Sequence, residues 1–374
     1  FLKSLKMIIV PLVMASMIVG VTALGDVRRL GRMGGVTVIY FAVTTGIAVA
    51  IGLLMVNLLH PGAGVALEGM AAPAKAAARQ AITLPDLALS LVSDNIVASM
   101  ANLELLPVIL FSLVFGAVLS TIGPAGKPVV DFFNGLNDVM MKLVMLLMYV
   151  APIGIFGLVA GRFGRAGDLG QLMGGLGLYM VTVIAALALH ALVVLPAILW
   201  FLGRRNPFVF LLNMATALLT AFSTASSSAT MPLTLQGLEE RNGISARAAG
   251  FVVPLGATIN MNGTALYEGV AAMFIAQAVG IDLSLGQQVI VLLTATLAAI
   301  GAAGIPEAGL VTMVIVLNAV GLPIEGIGLI LAVDWLLDRF RTAVNVWGDA
   351  CGAAVVEYQV LKGNDAPASV PRPA

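Results

Sequence analysis

Five apolar runs, at roughly 7–25, 34–60, 84–121, 128–161 and 169–203, each reach the ~20 residues that an α-helix needs to cross a bilayer. Hydrocarbon offers backbone N–H and C=O groups no partner, so such runs are predicted to be closed helices of a multi-pass bundle. Composition agrees: 60% of the 374 residues are hydrophobic and 10% are charged, against about 25% charged in soluble proteins. The formal net charge is zero, which argues against a nucleic-acid partner. Cys351 is the lone cysteine, which precludes an internal disulfide framework. His60 and His190 sit far apart in apolar runs and read as structural residues, and no Cys/His cluster has metal-ligand spacing. Arg28, Arg29, Arg32, Lys127, Arg204, Arg205, Arg241 and Arg247 can share one side, the cytoplasmic one, with Arg162 and Arg165 opposite. No signal peptide is visible: Phe1-Leu2-Lys3 leads straight into an apolar helix, so the sequence is expected to start inside its natural chain, after an earlier helix.

After Arg205 the pattern changes. Segment 207–241 is apolar but interrupted by Ser223-Thr224-Ala225-Ser226-Ser227-Ser228-Ala229-Thr230, with Pro232 just beyond. Segment 284–322 repeats the shape around Gly301-Ala302-Ala303-Gly304-Ile305-Pro306. Irregular backbone at membrane depth is tolerated only beside protein or a water-filled cavity. Two such segments, each next to a polar helix, predict a pair of re-entrant helical hairpins in an internal repeat rather than two kinked spanning helices.

Between Asp334 and Asp349 the chain reads D-W-L-L-D-R-F-R-T-A-V-N-V-W-G-D inside an apolar span. Asp334, Asp338, Arg341, Asn345 and Asp349 follow at spacings of four, three, four and four, which places them on one stripe of a helix. Ionised groups at this depth persist where they face a polar cavity or an ion pathway, so the stripe predicts a binding site rather than an amphipathic surface helix. Between the hairpins, Asn260-Met261-Asn262-Gly263-Thr264 should unwind a helix locally and free carbonyls for a cation. Glu268 is the carboxylate of that span; desolvation favours the neutral form of an unpaired carboxyl, which makes it a candidate proton carrier.

Ser226-Ser227-Ser228, the N-M-N-G-T run at 260–264, G-A-A-G-I-P-E-A-G in the second hairpin and D-x3-D-x2-R-T-x2-N-x3-D together resemble the dicarboxylate/amino acid:cation symporter family. That group holds the excitatory amino-acid transporters and their prokaryotic aspartate and glutamate relatives. The resemblance spans essentially the whole chain from the second transmembrane helix onward, and it implies a prokaryotic inner (plasma) membrane carrier. It also implies residue roles. Ser226, Ser227 and Ser228 would offer donors to the substrate carboxylates, Asp338 would take the α-ammonium, and Arg341 would hold the side-chain carboxylate in a bidentate pair. Thr264, Thr342 and Asn345 would complete the pocket, and the second hairpin, with Gly304, Ile305 and Gly309, would form the outer gate. Relatives for neutral amino acids lack an arginine at the Arg341 position, and those for C4-dicarboxylates lack the aspartate at the Asp338 position. Both residues together therefore imply L-aspartate or L-glutamate.

Cation coupling is where the chain departs from the pattern. One sodium site of sodium-driven relatives corresponds to Gly256, Asn260, Asn345 and Asp349, intact here. A second relies on carbonyls near Thr258 and Ala299 to Ala302. The third corresponds to Phe41, Thr44, Thr45, Asn260 and Asn262. Phe41 replaces a hydroxyl and Asn262 replaces the only anion of that site, so the third site is expected to be absent. Glu268 stands where proton-coupled relatives keep a glutamate. The expectation is a proton-coupled acidic amino-acid symporter with weakened or lost sodium coupling; the alternative is sodium-driven transport through the remaining sites. Arg339 lies off the pocket stripe and is expected to pair with the first hairpin.

Ser226 to Ser228 could suggest an intramembrane serine hydrolase, but neither histidine stands in a motif that delivers a base, so no enzyme is expected. No cofactor is expected beyond the coupling ion. The expected fold is all-α and polytopic, with a scaffold of 1–33 and 84–166, a loop at 61–83, and a transport part of 34–60 plus 167–362 holding hairpins at 207–241 and 284–322. A disordered tail is expected at 363–374. The family resemblance adds a homotrimer in lipid and elevator-type alternating access.

Overall fold

The computed structural model describes residues 2–23, 31–65, 92–102, 104–164, 169–301 and 308–361. Helices account for its regular structure, and no strand occurs among the described residues. We label them α1 (Leu2–Ala23), α2 (Gly31–Leu59), α3 (Ile96–Ala101), α4 (Leu105–Thr121), α5 (Lys127–Phe163), α6 (Leu169–Leu189), α7 (Leu195–Leu202), α8 (Pro207–Asn213), α9 (Ala215–Thr224), α10 (Ser227–Gln236), α11 (Ala246–Ile259), α12 (Asn262–Ala278), α13 (Leu285–Ala298), α14 (Ala308–Ala319) and α15 (Ile327–Val356). Helix α2 has 29 residues, and α6 continues through a π-turn at His190–Val194 into α7. Both stretches are apolar and long enough to span a bilayer, since 29 residues at about 1.5 Å each reach about 44 Å.

The centre of the molecule is α12. Apart from Gln277 it is buried on every side, as expected of a helix that carries Gly, Ala and bulky apolar residues around its whole circumference. It packs against α2, α15, α13, α14 and α6. Gly52 lets α2 approach closely: a Cβ there would fall 2.9 Å from Leu266 O. Around α12 runs one apolar core that includes Tyr179, Tyr267, Phe274, Met313 and Leu337. A second core, with Tyr40, Phe41, Phe210, Val252 and Trp347, joins α2, α7 to α9, α11 and the end of α15. A small third cluster of Ala15, Ile18, Leu119 and Phe133 binds α1, α4 and α5 to one another.

Two expectations need correction. The apolar run at 84–121 is not one helix, because α3 ends at Ala101 and α4 begins at Leu105. The break is polar, with Ser99 Oγ donating to Glu104 Oε2 at 2.8 Å and the Glu104 N–H donating to Ser99 O. The interruption in 207–241 is also narrower than the serine-rich stretch that marks it. Helix α9 runs to Thr224, and α10 starts at Ser227 and takes in Pro232 without ending there. A further bend of 58° separates α8 from α9 at Met214, where no proline or glycine marked it. The residues 66–91, the tip at 302–307 (with Gly304 and Ile305) and the tail from 362 onward lie outside the described residues.

Candidate substrate and cation site

Helix α15 carries the predicted stripe intact. Asp334, Asp338, Arg341, Asn345 and Asp349 are all buried within one unbroken 30-residue helix. Arg341 is completely enclosed, at 0% exposure. Its Nη2 donates to Asp338 Oδ1 at 2.8 Å, and its Nη1 lies 3.0 Å from Asp334 Oδ1. The second approach is a charge contact without hydrogen-bond alignment, so Nη1 has no hydrogen-bond partner, and neither has Nε. The guanidinium carbon sits 3.9 Å from the centroid of the Tyr267 ring, a cation–π contact that fixes the plane of the fork. Gly309, at the start of α14, closes the same space: a Cβ there would fall 3.2 Å from both Arg341 Nη1 and Thr264 Cγ2. A buried guanidinium whose Nε and Nη1 lack aligned hydrogen bonds is costly unless a ligand completes it.

The α9–α10 segment meets α15 at Arg339 and Phe340. Ala225 takes a left-handed conformation (φ 50, ψ 34) that ends α9, and Ser226 caps α10, its Oγ accepting from Ala229 N–H at 3.2 Å. An alanine in that region costs about 1–2 kcal/mol and marks a tip held by its surroundings. Ser226 and Ser227 are buried, and Ser228 is exposed. Arg339 Nη1 donates to Ser223 O at 2.6 Å and Phe222 O at 3.2 Å, the last carbonyls of α9, where a cation suits the helix dipole. Phe340 meets Phe222 edge-on. The two residues between Asp338 and Arg341 thus touch the end of α9 within a few positions of Ser226–Ser228.

Helix α11 ends at Ile259 and α12 begins at Asn262, leaving Asn260 and Met261 outside helical geometry. This is the unwinding expected of the N-M-N-G-T run, limited to two residues. Asn260 Nδ2 donates to Asp349 Oδ1 at 2.9 Å, and Asn260 Oδ1 has no partner. Gly256 faces the same carboxylate so closely that any Cβ would overlap Asp349. Asn345 Oδ1 accepts from Gly263 N–H at 2.8 Å, while its Nδ2 reaches Thr264 Oγ1 at 3.2 Å. One buried carboxylate, an orphaned amide oxygen and a Cβ-free approach are what a small cation requires, so Gly256, Asn260, Asn345 and Asp349 fit a sodium ion as co-substrate. Helix α11, which carries Thr258, also packs against Ala299–Gly301.

The third set of residues is different. Thr45 Oγ1 donates to Asn262 Oδ1 at 2.7 Å, Thr44 Oγ1 donates to Tyr40 O, and Phe41 lies in the apolar core. His190 comes to this point from the π-turn, its Nε2 3.4 Å from Asn262 Nδ2. Sequence reading treated His190 as structural and did not connect it with Asn262. The π-turn that aims it ends two residues before Pro196, a signal that the sequence reading did not use.

Glu268 lies one turn beyond Thr264 on α12, fully buried. Thr312 of α14 donates to its Oε1, and Oε2 has no hydrogen-bond partner. The proton-carrier candidate therefore touches α14 directly.

The sequence matches the sodium:dicarboxylate symporter family over residues 1–359. It is 42% identical to excitatory amino acid transporter 1 of Ambystoma tigrinum, over 96% of this chain and 75% of that protein. It is 43% identical to excitatory amino acid transporter 3 of Mus musculus (95% of this chain, 77% of that one) and 42% to an excitatory amino acid transporter of Caenorhabditis elegans (95% and 79%).

The chain belongs to the sodium:dicarboxylate symporter family. It is a multi-pass membrane transporter and not an enzyme. Of the serines that invited a hydrolase reading, Ser226 caps α10 and Ser227 and Ser228 lie in its first turn. Within this symporter the structure brings together Thr264, Gly309, Asp338, Arg341 and Asn345, with Thr342 buried on the same helix.

Proposed function

We propose that the protein is a secondary active symporter of L-aspartate or L-glutamate, coupled to protons, with weakened or lost sodium coupling. One observation carries the substrate: the fully buried Arg341 keeps Nε and Nη1 without hydrogen-bond partners, and Asp338 lies at 2.8 Å. A carboxylate suits the Nε–Nη2 edge of the guanidinium once Nη2 leaves Asp338, and an ammonium then suits Asp338. A dicarboxylate without an amine leaves Asp338 unanswered, and a neutral amino acid leaves Arg341 unanswered; either leaves a desolvated charge. The names of the relatives, excitatory amino acid transporters, agree with this choice.

Proton coupling rests on Glu268, enclosed in α12, and on the third cation set, where Asn262 supplies an amide instead of a carboxylate. The first sodium set is intact, so sodium-driven transport through it is the second reading. The separate small cluster of α1, α4 and α5 supports a scaffold of 1–33 and 84–166 around a transport part of 34–60 and 167–362, although Val13, Met17 and Ile109 also join the central core. The break at Ala225–Ser226 supports a re-entrant hairpin in 207–241, and the resemblance supplies the second, in 284–322. The trimer, the elevator motion and a plasma-membrane location follow from family resemblance. Labelled aspartate uptake into proteoliposomes, under proton and sodium gradients imposed separately, tests the coupling. Accumulation driven by the proton gradient alone is expected; accumulation that needs sodium and ignores pH would overturn it.

A further inference from the structure

Thr312 is buried in the second turn of α14, and its hydroxyl faces two acceptors of different kinds. One is Glu268 Oε1 on α12, and the other is Gly309 O in its own helix, at 3.3 Å. A hydroxyl has one proton to donate and lone pairs with which to accept. Towards a charged Glu268 it must donate. Towards a protonated Glu268 it can accept the carboxyl O–H, which releases its own proton to the Gly309 carbonyl. No covalent bond at Thr312 changes; the proton that binds Glu268 comes from water, and the hydroxyl reverses its hydrogen-bond role.

Gly309 opens α14 directly over the substrate cation, since a Cβ there would lie 3.2 Å from Arg341 Nη1. The hydroxyl of Thr312 therefore stands between the proton site and the first turn of the segment that covers Arg341. We propose that Thr312 is a positioning residue that reads the protonation state of Glu268 and passes it to the first turn of α14, which lies against Arg341, so that substrate affinity follows proton binding. This rests on Glu268 being the proton carrier.

No other group on the facing elements can take this part. Helix α15 presents Arg341, Asp334 and Asp338, already paired to one another, and α6 presents Tyr179. Tyr267, beside Glu268 on α12, lies under the guanidinium. Helix α2 faces α12 here with Val49, Gly52 and Leu53, and α13 and α14 carry no titratable residue.

The test compares wild type, Thr312→Val, Thr312→Ala, Thr312→Ser and Glu268→Gln in proteoliposomes. It measures the pH profile of the aspartate KM, proton-driven accumulation, and substrate exchange at equal pH. The charged carboxylate loses more than the neutral acid when its donor is removed. Val and Ala at 312 are thus expected to move the KM midpoint up by about one pH unit or more and to cut proton-driven accumulation about tenfold, with exchange retained. Ser should restore both. Two hydroxyl-free variants are used so that misfolding of one still leaves a reading. A wild-type midpoint in either folded variant, alongside a Glu268→Gln protein that has lost its pH response, overturns the role of Thr312 alone. A Glu268→Gln protein that keeps the wild-type pH response overturns both this inference and the proton-carrier reading beneath it.

Discussion

Arg341→Ala removes the group on which substrate choice depends, and its cost can be worked from the contacts. Nε–H, which has no hydrogen-bond partner, shares one edge of the guanidinium with Nη2, and once Nη2 leaves Asp338 that edge can make two charge-assisted hydrogen bonds to a substrate carboxylate. At about 1.5–3 kcal/mol each, their loss amounts to about 3–6 kcal/mol. With about 1.4 kcal/mol per decade, the affinity for L-aspartate should fall by about 10²–10⁴-fold. L-Serine makes no use of those bonds, so its affinity should stay level or rise. The same substitution strands Asp334 and Asp338, which lie 3.0 and 2.8 Å from the guanidinium, and breaking a buried pair costs about 3–5 kcal/mol of stability. Arg341→Ala combined with Asp334→Asn removes part of that penalty and is the better protein for binding work. Calorimetric titration of the purified, folded variants with aspartate and serine, beside thermal unfolding, separates the two effects. A loss for aspartate below tenfold, or an equal loss for serine, would refute the reasoning.

Three other variants probe the ion sites. Glu268→Gln should abolish uptake driven by a proton gradient while leaving exchange of internal for external aspartate, measured with radiolabel at equal pH. Asn262→Asp with Phe41→Tyr restores an anion and a hydroxyl beside Thr45, and should raise the sodium dependence of uptake in a sodium titration at fixed pH. Gly256→Ala drives a methyl into the Asp349 carboxylate; overpacking of that kind costs about 1–3 kcal/mol, seen as a lower unfolding temperature, and should remove any stabilisation by sodium.

The polar elements were legible because membrane depth makes them expensive. A carboxylate, an arginine or an Asn-Gly pair in an apolar run has few structural excuses, so the α15 stripe, the unwound Asn260–Met261 and Glu268 all stood out and all lie in the central core. Backbone irregularities inside apolar runs did not. The bend at Met214 has no glycine or proline at it, and the π-turn at His190–Val194 ends two residues before Pro196 inside an apolar run that reads as continuous helix. The meeting of His190 with Asn262 spans 72 positions and depends on that π-turn, so no local pattern could have disclosed it. Thr312 was invisible for the same reason: a threonine in an apolar helix is unremarked until the fold sets it against Glu268.

Competition for uptake is the most direct test of the buried cation–anion pair. Proteoliposomes loaded for inward transport would be given labelled L-aspartate with excess L-glutamate, succinate or L-serine outside. Strong inhibition by glutamate and near-complete uptake in the presence of succinate or serine is the predicted result. Inhibition by succinate as strong as that by unlabelled aspartate would mean that Asp338 does not read the amine, and the account would be wrong.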